Sequence, residues 1–298
     1  MREKLIFLFF ILFHSSLNAQ ENFFSKSDSL NTKRIVITSS SIGTVWAGSI
    51  IGLQQVWYSN VTKSDFHTFN DSKNWMQMDK AGHVYTANKI SQLSGDLYKW
   101  SGMKPKKAAV LGSCIGLGYQ TSLEILDAYS VDWGFSWADM TANTAGSLIY
   151  LGQELAWKEQ RFQLKFSYHP TEFAALRPEV LGANFRERLL KDYNGQTYWL
   201  SFNPFLFAKN SKVPKWICLS VGYSANAKLV GDQDVFTSGT TIYNANREFM
   251  LSFDVDFSRL PIKNPWLKAL VKQFNYIKVP FPALILSDRK ISASGLYF

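Results

Sequence analysis

The chain has 298 residues, enough for one large or two modest domains. Its two cysteines, Cys114 and Cys218, sit in apolar surroundings in different halves, so they read as buried thiols and exclude a disulfide framework or zinc-ligand spacing. A net charge of +9 and an aromatic content of 15% suit anionic head groups or polyanionic glycans at a membrane interface.

Residues 1–19 read as a secretory signal peptide. Arg2 and Lys4 lead an unbroken apolar run from Leu5 to Phe13, and Leu17-Asn18-Ala19 precedes a cut before Gln20. The run is too short to span a bilayer comfortably, which favours a cleaved leader over an uncleaved anchor. No cysteine follows the cut, so a lipid anchor is not expected there. Export removes nucleic acid from the expected partners and leaves membrane lipids or another envelope protein. Residues 20–34 are a polar lead-in.

Residues 35–58 carry no charge and hold Gly43, Ala47, Gly48 and Gly52. They fit a membrane helix with small residues for close packing, or the buried helix of a soluble protein. A polar connection over 61–78 follows, with Trp75 and with His67 as a surface histidine. The spacing predicts a helix over 79–100, with Asp79 in its first turn. Gly102 to Pro105 breaks it beside a basic cluster of Lys104, Lys106 and Lys107. A second glycine-rich apolar helix spans 108–129. Trp133, Phe135 and Trp137 are interface or core aromatics, and Ser136 is a natural N-cap for a helix over 137–157. Residues 35–159 thus form a glycine-rich bundle of about four helices.

The period then changes to two. Phe162, Leu164, Phe166 and Tyr168 alternate with polar residues, as do Phe249, Leu251, Phe253, Val255 and Phe257. Weaker cases lie at 198–202, 216–223 and 290–298. Residues 160–298 therefore read as a strand-rich antiparallel segment, interrupted by helices at 178–193 and 265–276, and the fold class is α+β. Asp254 and Asp256 read as a solvated strand face rather than a calcium site. Tyr193 to Gln196 reads as a turn with Gly195 at positive φ. Five or six strands fall short of a self-contained eight-stranded barrel. The aromatic end at Phe298 looks like an outer-membrane assembly signal, which favours the outer membrane or its periplasmic face over the inner membrane.

Three helices carry polar stripes at helical spacing. Asp79 and His83 are four apart, Gln120, Glu124 and Asp127 are four and three apart, and Asp139 and Asn143 are four apart. Residues at those offsets share one face, and lone buried carboxylates are costly, so the stripes are expected to meet. Asp79, His83, Glu124, Asp127 and Asp139 are the candidate catalytic or metal-binding residues, as an acid–base pair or as one imidazole with carboxylate oxygens. Lys80, Gln120 and Asn143 complete the same cluster if its role is to fix helix register. The pattern identifies neither a cofactor nor a metal.

Asp79-Lys80-Ala81-Gly82-His83, Tyr119-Gln120 with Glu124, and Phe135-Ser136-Trp137-Ala138-Asp139 with Asn143 and Gly146 resemble the uncharacterised YfiM-like family of predicted periplasmic lipoproteins. More distantly they resemble VanZ-like membrane proteins, which are linked to glycopeptide tolerance. The likeness covers about residues 79–159, and 190–199 is similar to longer members of the first family. It implies an envelope location and a helical core, with no established activity. The chain departs from the lipoprotein pattern in lacking the acceptor cysteine and in its long strand-rich half. Two functions remain open: a non-catalytic, membrane-associated envelope protein, or a membrane-apposed hydrolase or metal-dependent enzyme acting on a lipid-linked or envelope substrate.

Overall fold

Four long helices form where the periodicity places them: α1 (Thr32–Trp57), α2 (Met78–Trp100), α3 (Pro105–Asp127) and α4 (Trp137–Trp157). The computed structural model describes residues 23, 25–57, 62–208 and 211–298. The leader expected over 1–19 and the start of the polar lead-in lie outside the described residues. Pro105 opens α3 rather than separating it from α2, because its fixed φ suits the first helical position. Ser136 caps α4 as expected, its Oγ accepting the Asp139 amide at 3.0 Å.

α2 packs between α3 and α4 at backbone contact. A Cβ on Gly116 would stand 2.6 Å from the Ala87 carbonyl oxygen, and one on Gly146 only 2.2 Å from that of Val84. The buried seams are polar. Asn88 Nδ2 donates to the Gly146 carbonyl at 3.1 Å, and Ser91 Oγ to Ser147 Oγ at 3.3 Å. Val110, Ile125, Leu148 and Leu155 point outward instead.

α1 is long and apolar enough to cross a membrane, and only 6% of its most apolar window is buried, so it is not a soluble core helix. A Cβ added at Gly43, Gly48 or Gly52 would meet nothing within 4 Å, so among the described residues no close packing is made through them. Arg34 ties its start to α2, donating to the Trp100 carbonyl at 3.2 Å with the guanidinium 4.7 Å from the Trp100 ring.

Just before α2 the chain makes a left-handed turn. Trp75, Met76 and Gln77 have φ of 51°, 52° and 64°, a region non-glycine residues rarely adopt. The second half of the molecule holds them there. The Trp75 amide donates to the Gly231 carbonyl, Tyr223 OH to the Met76 carbonyl, and Arg247 Nη2 to Gln77 Oε1.

That second half begins with β1 (Phe162–Tyr168) and three short helices, α5 (Phe173–Leu176), α6 (Pro178–Leu181) and α7 (Phe185–Lys191). The single helix expected over 178–193 breaks at Gly182, where φ is +100°. β2 (Gln196–Phe202), β3 (Ile217–Asn226), β6 (Asn246–Val255), β7 (Phe281–Ser287) and β8 (Lys290–Tyr297) complete an antiparallel sheet in the order β1-β2-β3-β6-β7-β8. A hairpin of β4 (Val235–Ser238) and β5 (Thr241–Asn244) stands apart, and α8 (Pro265–Lys272) precedes β7. Neither the hairpin nor β7 alternates clearly enough to be read as strand. Gly195 lies in the expected turn but not at positive φ. Its missing side chain matters because a Cβ would meet the His169 carbonyl oxygen at 2.3 Å.

The sheet curls strongly. The Trp199 and Tyr297 rings lie 5.8 Å apart although three strands separate β2 from β8. Asp254 and Asp256 are buried, not solvated, while Phe249, Leu251 and Phe253 are exposed. Period two does not say which side is inside, and here polar groups on the concave side pair with one another, although Gln163 Oε1 is left without a hydrogen bond. Lys165 Nζ stands 2.9 Å from Asp254 Oδ2 with both side chains fully buried, and Ser201 Oγ donates to that oxygen at 2.6 Å. Among the described residues no valine, isoleucine or phenylalanine is buried. Both cysteines are free, but only Cys218 is buried; Cys114 lies on the outer face of α3, where an apolar neighbourhood in sequence does not mean a core position.

Candidate functional site

The three polar stripes meet at one end of the bundle. Asp79, Lys80 and His83 occupy the first turns of α2, Gln120 and Glu124 the last turns of α3, and Asp139 and Asn143 the first turns of α4. The antiparallel run of α3 against α2 and α4 is what brings a helix end together with two helix starts. His83 Nδ1 lies 3.0 Å from Asn143 Oδ1, 3.3 Å from Gln120 Nε2 and 3.6 Å from Glu124 Oε1. Its Nε2 faces Asp79 Oδ1 at 3.7 Å and Asp139 Oδ1 at 3.6 Å. Gln120 Nε2 donates to Asn143 Oδ1 at 3.0 Å.

Lys80 is the hub. Its Nζ stands 2.5 Å from Asp71 Oδ2, 2.9 Å from Asp79 Oδ2 and 2.7 Å from Asp139 Oδ1. Asp127, a turn beyond Glu124, acts there as a nearby like charge. Three residues outside the predicted stripes complete the arrangement. Asp71 accepts from Ser136 Oγ at 2.6 Å, the Ser136 amide donates to Glu124 Oε2 at 3.3 Å, and Tyr193 OH donates to Asp79 Oδ1 at 2.9 Å. Ser136 carried a signal as an N-cap. Asp71 comes from an irregular segment and carried none, while Tyr193 lies in the 190–199 stretch noted for its resemblance but reads only as part of a turn.

Burial and neighbouring charges set the protonation of the cluster. Burial pushes the Glu124 carboxyl up to about 8, the like charges of Asp139 and Asp127 adding to it against His83. Asp139 is pushed up to about 7, chiefly by burial and by Asp79. Burial also opposes ionisation of Asp79, but His83 and Lys80 outweigh it and hold its carboxyl below the usual range. For His83, burial disfavours the imidazolium, yet Asp79, Asp139 and Glu124 together raise its pKa.

Oxygen and nitrogen atoms of Asp79, His83 and Asp139 lie within 4.8 Å of one another, a spacing that can hold a metal ion. The donor set does not favour one. The Lys80 ammonium already faces both carboxylates at hydrogen-bond distance, and a single imidazole with two aspartates is a poor zinc set. Some polar atoms remain without a hydrogen bond: Gln120 Oε1, Glu124 Oε1 and Asn143 Nδ2.

His67 is not a free surface residue. It is half-buried, its Nε2 meeting the Trp133 carbonyl at 2.8 Å, and so fastens the 62–73 connection to the turn before α4. Trp137 points outward with 71% of its surface exposed, while Phe135 packs on it edge-on.

Fold and site together define an α+β protein with many buried polar groups, exposed apolar faces on its helices and strands, and a charged cluster at the end of its helices. Residues 66–151, which contain every cluster residue except Tyr193, match the model of a family described as predicted periplasmic lipoproteins. The match supports an exported protein of the cell envelope. No curated protein and no solved structure matches the chain.

Proposed function

We propose that this is a non-catalytic, membrane-associated envelope protein whose polar cluster locks α2, α3 and α4 to one another and to the strand-rich half. The observation that carries the reading is the position of Lys80. Its ammonium lies within 2.9 Å of three carboxylates, so the chain supplies its own cation at the centre of the acidic group. Tyr193 then joins the cluster to the second half. The exposed apolar helix α1 supports association with membrane lipids, with another envelope protein as the other candidate partner. The outward apolar residues of the strands favour the outer membrane or its periplasmic face. The cluster resembles that of YfiM-like proteins and, more distantly, of VanZ-like ones, in the motifs quoted above.

A second reading, a hydrolase acting on a lipid-linked or envelope substrate, draws on one feature. Glu124 carries an oxygen with no hydrogen bond and a pKa pushed up to about 8, the character of a general acid.

Elemental analysis and thermal unfolding of the purified full chain separate the two. The structural reading expects no stoichiometric metal, and expects His83→Ala and Lys80→Met to lower the unfolding midpoint. One equivalent of metal lost in a His83→Ala variant that keeps its midpoint, or hydrolysis of a lipid-linked envelope substrate that Glu124→Gln abolishes without moving the midpoint, would overturn it in favour of the enzyme.

A further inference from the structure

The six-stranded sheet has its polarity reversed relative to a soluble sheet. Lys165, Ser201, Ser220 and Asp254 stand on the concave side among Trp199, Cys218, Met250 and Ala283. On the convex side the strand register aligns three rows with no charged side chain in any of them. The middle row is Leu164, Leu200, Val221, Leu251, Leu284 and Ala293. Phe162, Phe202, Leu219 and Phe253 flank it on one side, and Phe166, Tyr198, Tyr223 and Phe249 on the other. The helical half covers part of the last row, the Tyr85 ring lying 5.9 Å from both Phe166 and Tyr198. Leu200, Val221, Phe249, Leu251, Phe253 and Leu284 are left exposed.

We propose that this convex face beds in the hydrocarbon of one membrane leaflet. The inference rests on the membrane-associated reading above and names the surface and its occupant. An aliphatic row between two aromatic ones matches the depth profile of a lipid interface, where aromatic rings favour the head-group level. The curvature argues against a second copy as occupant. Two rigid convex faces touch along a line and leave most of their apolar area in water, whereas fluid acyl chains conform to either shape. Charge placement agrees. Arg247, Arg289 and Lys290 are exposed beyond the Phe249 row, and Lys212, Lys215, Lys263 and Lys268 in the connections at the Phe202–Phe253 end, so cations flank the uncharged rows at both ends, where anionic head groups would surround the bedded face. α8 leaves the Phe202–Phe253 end with Trp266, Leu267 and Leu270 exposed.

The test uses the full chain carrying Cys114→Ser, since Cys114 is exposed and Cys218 is buried. A bimane label is placed at Leu251→Cys, at Leu284→Cys, or at the exposed loop position Asp232→Cys as a control. Each protein is mixed with vesicles of phosphatidylethanolamine and phosphatidylglycerol and recovered by flotation. The proposal expects brominated acyl chains to quench the labels at 251 and 284 and to spare the one at 232, with aqueous iodide doing the reverse. Labels at 251 and 284 that iodide reaches in floated protein, or that neither quencher reaches, overturn the proposal while membrane association stands. Protein that fails to float overturns both. Two label sites guard against one substitution disturbing the fold, and far-ultraviolet circular dichroism confirms that each variant is folded.

Discussion

Two lysines, Lys165 buried and Lys80 half-buried, organise the two halves of the molecule in different ways. Lys165 in the sheet meets one carboxylate, Asp254, and also donates to the Val255 carbonyl at 2.7 Å. Ser201 donates to the same Asp254 oxygen, and the Val279 amide to the other. Both oxygens of the carboxylate are therefore partnered. Lys80 in the bundle faces three carboxylates at once, beside an imidazole and a fourth acid with an unmatched oxygen. A closed pair of this kind answers mainly to deletion of a partner. An open, acid-rich cluster answers to protons.

Deleting one partner of the closed pair is the harshest test of this contrast. Lys165→Ala leaves Asp254 buried and uncompensated, and denaturant unfolding is expected to record a loss of about 3–5 kcal/mol. Adding Asp254→Leu to it removes the stranded charge, so the double variant should recover part of that loss. A double variant no better than the single one would mean that the pair does not behave as an isolated unit.

The open cluster should show itself in the pH dependence of stability. Glu124 and His83 both have folded-state pKa values above their unfolded ones, so the folded chain binds more protons than the unfolded chain across the intervening range. The His83 contribution is complete below its unfolded pKa of about 6.5 and is lost as pH rises through the folded value. Glu124 likewise becomes a growing penalty between about 4.5 and about 8. Wild-type stability should therefore fall by about 1–3 kcal/mol from pH 5 to pH 8, and Glu124→Gln should flatten that fall. Unfolding midpoints in denaturant across that range measure both slopes, and parallel slopes would count against a proton-sensitive cluster. Asp79 has the opposite sign, since its lowered pKa contributes stability that is lost only at strongly acid pH.

The smallest expected effect tests the edge of the cluster. Ser136→Ala removes the cap on the Asp139 amide and the bond to Asp71, at an expected cost of about 1–2 kcal/mol in thermal or chemical unfolding. Its slope against pH should stay that of the wild type, because the titrating groups remain.

The helical part of the site was readable because four-residue spacing fixes a helix face wherever the helix goes. Asp79 with His83, and Asp139 with Asn143, needed only that rule. Asp71 and Tyr193 were not readable, because an irregular connection and a turn place their side chains through tertiary contacts. In the sheet, β1 and β6 announced themselves by alternation, but Asp254 and Asp256 were assigned to the solvated side and are buried. Alternation fixes two faces without naming the buried one, and the usual assumption that the apolar face is inside fails in a sheet with a polar concave side. β7 escaped because Pro282 and the Ala-Leu-Ile-Leu run give no period at all.

The left-handed turn at Trp75, Met76 and Gln77 makes the two halves mutually dependent. Residues held in that region cost about 1–3 kcal/mol each, and the contacts that hold these three come from Tyr223, Gly231 and Arg247. Splitting the polypeptide near residue 159 would strip away those clamps along with the phenol on Asp79. The helices would then keep their hydrophobic pattern and lose the scaffold that starts α2 at the right place. Those contacts predict that the bundle and the curled sheet unfold together, in one transition rather than two.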